Sequence, residues 1–385
     1  MMFHARRMVF VFFGVVVAIV VPSCIAVPPC AVEPIKVPLV TTAIPSDTRY
    51  ILAGKPPGLF DQDEENPTKT LTLGGIECVV KAEMPGKASI KNGLPCKLLC
   101  KTPTQEFTAT GQSMEFTLDH GRKYLLTGEG FFYSDTDPEN KKKNVRTFFK
   151  PAGVQTGKIG QTSIALYDSN MDGFYTIGED GIAFGPPMII SLDWLFTKKY
   201  HYVQPLSKYI STSDGIFEIR NLAKDGSELT LLPYNGPTAS LEVIAPQSNS
   251  GQKYFGQIIL TSPDANLNVT VSGKAGESVA VIPGEYKILI ADLKAARSTM
   301  YISGAGMSAL KVKAGEKQVM VLSGPKRLEF QAAMIGGKIN INPETFHIKG
   351  QAGEIYSGVH DRSNLPEVYL NVDGKSTLLG KMEYG

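Results

Sequence analysis

From Asp168 to Glu179 the chain reads DSNMDGFYTIGE, with short oxygen-bearing side chains at Asp168, Asn170 and Asp172, a glycine at 173 and a carboxylate at 179. This is the spacing D-x-[DN]-x-[DN]-G-x5-E, which suits a hard divalent cation. Calcium takes six to eight oxygens at about 2.3–2.6 Å, and alternate short side chains converge on it only where the backbone bends sharply, as a glycine at 173 allows. In that arrangement the Phe174 carbonyl adds a backbone oxygen and Thr176 a side-chain or water-bridged one. Glu179 then adds two oxygens at once, with Asp180 in reserve for that role. A solvated Asx turn with no ion is the plainer reading of the same residues.

Other chemistry finds fewer residues. The histidines beyond the N-terminal segment, His120, His201, His347 and His360, are scattered and form no H-E-x-x-H pattern. The glycine clusters TGEGFF and SGKAGESV match neither a nucleophile elbow nor a phosphate loop. Asp119-His120 reads as a turn pair before Gly121, with half of a catalytic triad as the other reading. Asp135, Asp137 and Glu139 sit in a polar excursion that reads as a solvated loop or a weaker second cation site. Trp194, Tyr200 and Tyr202 follow the acidic loop and read either as core and strand residues or as an aromatic sugar platform. Asn268-Val269-Thr270 is a sequon, meaningful only on a eukaryotic secretory route.

The elements around the loop must position it. Upstream lies GKIGQTSIALY and downstream GIAFGPPMIISLDWLF; both are broken by glycine or proline and rich in β-branched residues. Neither predicts a helix, so the loop is expected between strands, without a helix pair that opens on binding. The chain has 38 glycines and 25 prolines, about one residue in six, and 43% hydrophobic residues. That composition predicts an all-β protein with many turns and a real core, and 385 residues exceed one ordinary domain.

The first 24 residues carry Arg6 and Arg7, then fourteen apolar residues from Met8 to Val21, then small residues. As a helix that run spans about 21 Å, short of the roughly 30 Å bilayer core, so an export signal is expected. Val21-Pro22-Ser23-Cys24 is close to a lipobox, which would place a lipid anchor on Cys24; cleavage after Ala26 is the other reading. Loss of the leader leaves 37 of the 39 basic residues against 37 acidic ones. A neutral chain without a basic patch is a poor partner for nucleic acid. Four cysteines then remain, Cys30, Cys78, Cys96 and Cys100, enough for two disulfides whose pairing the spacing leaves open.

Five segments are expected: a signal over 1–24, a proline-rich tether over 25–66, a β domain with the acidic loop over 67–236, a β-sandwich over 237–330 and a C-terminal β segment over 331–385. The tether includes a strand-like Arg49–Leu52. FEIRNLAKDGSELTLLPY places Asp225-Gly226 between two apolar runs, a strong hairpin signal. Beyond residue 236, Gly-Glu pairs at 276, 284, 315 and 353 precede β-rich runs.

With TSIALYDSNMDGFYTIGEDGIAFG, the hairpin FEIRNLAKDGSELTLLPYNGP, the VIPGEYKILI run and the endings GEIYSGV and GKMEYG, the layout resembles a group of uncharacterised exported bacterial proteins and lipoproteins. These carry a D-x-N-x-D-G calcium loop of EF-hand type, followed by carboxypeptidase-regulatory-like or immunoglobulin-like β domains. The resemblance implies calcium binding at Asp168, Asn170, Asp172 and Glu179, a multidomain β fold and a periplasmic, outer-membrane or cell-surface location. It implies no activity. The expectation is a non-catalytic, calcium-stapled binding or scaffold module of the cell envelope. The alternatives are a hydrolase of polysaccharide or peptide with structural calcium, and a calcium-dependent adhesion or carbohydrate-binding module.

Overall fold

Every regular element described is a β-strand, as the turn-rich composition demands, and the strands assemble into layered sheets. The computed structural model describes residues 33–44, 49–52, 59–63, 67–73, 75–83, 97–104, 106–110, 114–118, 121–133, 142–185, 188–190, 200–246, 255–271, 276–295, 298–324, 327–335, 338–357, 367–372 and 375–381. The leader, Cys24, Cys30, Cys96, Asp119-His120, the 135–139 acids, Trp194 and His360 lie outside the described residues. Among the described residues no helix is long and apolar enough to cross a membrane.

Two sheets frame the loop. Thr162–Tyr167, which leads into it, pairs antiparallel with Gly181–Phe184, which leaves it, inside a seven-stranded sheet. Facing this is a twelve-stranded sheet, and Ile210, Phe217, Leu229 and Leu231 from it share one core with Ile159, Ile164, Leu166 and Ile182. Alternation along Gly215–Leu222 and Glu228–Pro233 supplies those inward residues. The expected hairpin joins these two strands through Asp225-Gly226, with Gly226 at φ 74°.

The proline-rich stretch contributes strands. Ile35–Pro38 pairs with Glu228–Pro233 at one edge of the twelve-stranded sheet, and Val40–Ala43 pairs with Gly153–Ile159 at one edge of the seven-stranded sheet. The chain changes sheets at Leu39, whose N–H donates to the Ser227 carbonyl at 2.8 Å. Arg49–Leu52 pairs in parallel with Tyr200–Val203.

Farther along, Ile258, Leu260, Leu267, Val269, Tyr286 and Ile288 of the large sheet pack against Leu241, Val243, Val281 and Met320 of a three-stranded sheet, a second sandwich. Pairing continues across residue 236, because Tyr209–Ile210 runs in parallel with Leu267–Asn268. Turns at Gly276, Gly315 and Gly353 precede strands at Ser278, Lys317 and Ile355, and Gly284 is the first residue of its own strand. A third, outer core joins Leu73, Cys78, Val80, Ala82 and Cys100 of a four-stranded sheet to Leu118 and to Tyr124 and Leu126 of the Lys123–Tyr133 strand.

Candidate metal centre

The acidic loop lies between strands, tied to its surroundings by its backbone. The Tyr175 N–H donates to the Lys224 carbonyl at 2.9 Å, the Gly178 N–H to Leu206 at 2.8 Å, and the Leu206 N–H to the Asp180 carbonyl at 2.7 Å. Three residues adopt left-handed backbone: Gly173 at φ 86°, Gly178 at φ 91° and, without a glycine's freedom, Met171 at φ 60°. The bend comes with a ladder of short-range bonds. Asn170 Oδ1 accepts from the Asp172 N–H at 3.0 Å, Asp172 Oδ1 from Phe174 at 2.7 Å, and Asp168 Oδ2 from Gly173 at 3.1 Å. Side chains 168, 170 and 172 are thereby held around one turn.

Asp168 is the deepest of them, 1% exposed, and its Oδ1 has no hydrogen-bond partner. Its Oδ2 also accepts from the Arg122 guanidinium at 3.3 Å. Burial, then the Asp180 charge, pushes its carboxyl up to about 7, while Arg122 pulls it back down. Asp180 is fully buried and is spent on the backbone. Its Oδ1 accepts from Ser169 and its Oδ2 from Thr176, both at 2.7 Å. Burial lifts it to about 6 against the pull of those amides. Glu179 is exposed, and its Oε2 accepts from Asn170 Nδ2 at 3.2 Å, the same nitrogen that donates to Asp172 Oδ2 at 3.1 Å. The Asn170 amide thus stands between two carboxylates. Thr176 and Phe174 are exposed, and the Thr176 carbonyl accepts from Asp180 at 3.2 Å.

Chemically this is an oxygen-rich turn with one orphaned buried carboxylate oxygen, one exposed carboxylate and one amide oxygen. The donors suit a hard cation, because an ion supplies the positive charge that Asp168 Oδ1 lacks and that the Asn170 amide only partly gives Asp172 and Glu179. Among the described residues no three His, Cys, Asp or Glu side chains already converge as a closed metal cage. The oxygens would come instead from the mixed set of Asp168, Asn170, Asp172, Phe174, Thr176 and Glu179, with Asp180 fixing the backbone.

Two residues at the site have no signature in the loop motif. Arg122 reaches it from 46 residues upstream and also lies over the Tyr175 ring, 5.2 Å from its centroid. Met171, a spacer in the motif, is 6% exposed and packs in the outer core, whereas Tyr175, four residues on, packs in the sandwich core. Gly226 completes the seat, since a Cβ there would run into the Tyr175 ring.

A cleft of about 680 Å³ opens beside Arg122 and Tyr175. Its carboxylates are engaged: Glu115 pairs with Lys123 at 2.8 Å, and Asp225 accepts from the Ser227 hydroxyl at 2.7 Å, a bond that holds Asp225 below the usual carboxylate range. Of the aromatic residues after the loop, Tyr202 is 3% exposed and packed with Ile259 and Tyr301; Trp194 and the ring of Tyr200 lie outside what is described. Asn268 of the sequon is buried and donates to the Pro205 carbonyl at 2.9 Å. Cys78 and Cys100 are buried free thiols. No family model, curated protein or solved structure matches the chain.

Proposed function

We propose that this protein is an exported, non-catalytic module of the cell envelope, in which one calcium ion bound by Asp168, Asn170, Asp172, the Phe174 carbonyl, Thr176 and Glu179 fastens the turn between two strands. The observation that carries the reading is Asp168. A carboxylate 99% removed from solvent with one oxygen unpaired is costly in water-free surroundings, and a cation at that oxygen removes the cost. Asp180 is the organiser of the turn and Glu179 the closing ligand, because both Asp180 oxygens already accept backbone N–H groups. The leader supports export, and a lipid on Cys24 would anchor the mature chain to a membrane.

The strand flanks support a structural ion over a signalling one, since the segments that enter and leave the loop are paired strands and not helices that could open. Differential calorimetry tests this. An ion present at about a hundred times its Kd stabilises by about 2.7 kcal/mol. Unfolding entropy near 0.7 kcal/mol/K for a chain of this size turns that into about 4 °C between millimolar calcium and chelator. Equal melting temperatures in the two conditions would refute the proposal.

A further inference from the structure

The loop holds side chains from two cores at once, and this suggests what a bound ion would do beyond steadying the turn. Met171 lies between Asn170 and Asp172, and its side chain is buried among Leu73, Cys78, Val80, Cys100, Leu118 and Tyr124 of the outer core. Tyr175 is buried with Leu166, Ile182, Leu206 and Leu231 of the sandwich core. A non-glycine residue at φ 60° is held against its own preference, at a cost of order 1 kcal/mol. The surroundings over-determine that conformation only while the turn keeps its shape. Arg122 adds a polar strap, joining the edge of the outer core to Asp168 and the Tyr175 ring.

We infer that the loop is a calcium-dependent joint, in which ion binding at Asn170 and Asp172 clamps Met171 into the outer core and so couples that core's stability to the sandwich. The inference rests on the calcium reading above and goes further by naming the segments the ion controls. With the ligands gathered on one ion, the peptide on either side of Met171 is fixed and the left-handed conformation is locked. Without it, the Met171 backbone can relax toward right-handed values and withdraw its side chain, leaving a gap beside Cys78 and Tyr124. The outer core then opens at lower free energy than the sandwich does.

Hydrogen exchange of the full mature chain, read by mass spectrometry in millimolar calcium and in chelator, tests the joint. Calcium should slow exchange about tenfold in Ile76–Glu83, Lys97–Lys101 and Lys123–Tyr133, and leave Phe255–Ser262 and Gly284–Ala295 unchanged. Met171→Gly keeps every ligand oxygen. It should still bind calcium by titration calorimetry and still protect 168–180, while the outer-core response falls below about threefold. Arg122→Gln, which cuts the strap without opening a cavity, should lower the same response and serves if Met171→Gly leaves the outer core unfolded in both conditions. Protection confined to 168–180 in the wild type, or a full outer-core response in both variants, would overturn the joint and leave the calcium site standing. A wild type that binds no calcium removes the site and the joint together.

Discussion

Replacing Asp168 by asparagine should raise stability without calcium and remove the stabilisation that calcium gives. The substitution keeps shape and one carbonyl oxygen for the Gly173 N–H, but deletes the charge and the anionic ligand. Near pH 8 the carboxyl of Asp168, held near 7 instead of 3.8, must be ionised inside the fold, which at about 1.4 kcal/mol per pH unit costs about 4 kcal/mol. That value already contains the pull of Arg122, a 3.3 Å pair whose arginine side chain is 23% exposed; what offsets the gain is the asparagine amide itself, whose buried N–H donors lack an acceptor at a cost of roughly 1–3 kcal/mol. A net gain of about 1–3 kcal/mol in chelator corresponds to about 1–4 °C. In millimolar calcium the wild type should gain its several degrees and the variant none, so the order of the two melting curves narrows or reverses. Thermal melts of both proteins in both conditions decide it. A variant that melts below the wild type in chelator, by as much as it does in calcium, would show that the buried charge is not a liability awaiting a cation.

The remaining expectations concern the same neighbourhood. Because Asp168 and Asp180 are raised above 3.8 to about 7 and about 6, the metal-free fold prefers their protonated forms. Their contribution to stability is therefore full below about pH 3.8 and lost as pH rises through 6 and 7; the difference in urea midpoint between wild type and Asp168→Asn, followed from pH 4 to pH 8 in chelator, should move against the wild type. Glu179→Gln should weaken calcium binding about tenfold or more by calorimetric titration while leaving the metal-free melting temperature within about 1 °C, whereas Asp180→Asn, whose amide loses an acceptor for the Ser169 or Thr176 N–H, should speed hydrogen exchange at those amides in both conditions. Gly226→Ala places a Cβ against the Tyr175 ring at φ 74° and should destabilise by about 2–4 kcal/mol in denaturant titration.

Local features were legible in the sequence and long-range ones were not. The all-β class followed from glycine, proline and β-branched content. The strand flanks of the loop followed from GKIGQTSIALY and GIAFG, and the Asp225-Gly226 hairpin from turn chemistry, since each depends on neighbours a few residues apart. Ile35–Pro38 and Val40–Ala43 were hidden in a stretch that composition alone reads as a tether, because their stability comes from partners near residues 155 and 230 and not from local propensity. Arg122 was invisible for the same reason, as no spacing rule relates it to Asp168.

Met171 shows the limit most sharply. In the motif it occupies a position free to vary, which carries no signal of where its side chain goes. In the fold, the left-handed turn that lets Asn170 and Asp172 share one side of the loop throws the residue between them to the other side. There a hydrophobic core is waiting. The ligand geometry and the packing of Met171 are therefore two consequences of one backbone conformation. Whatever stabilises that conformation, an ion at the polar side or a filled core at the apolar side, must also favour the other. On the calcium reading proposed above, opening of the outer core should weaken calcium binding by the same factor by which calcium disfavours that opening.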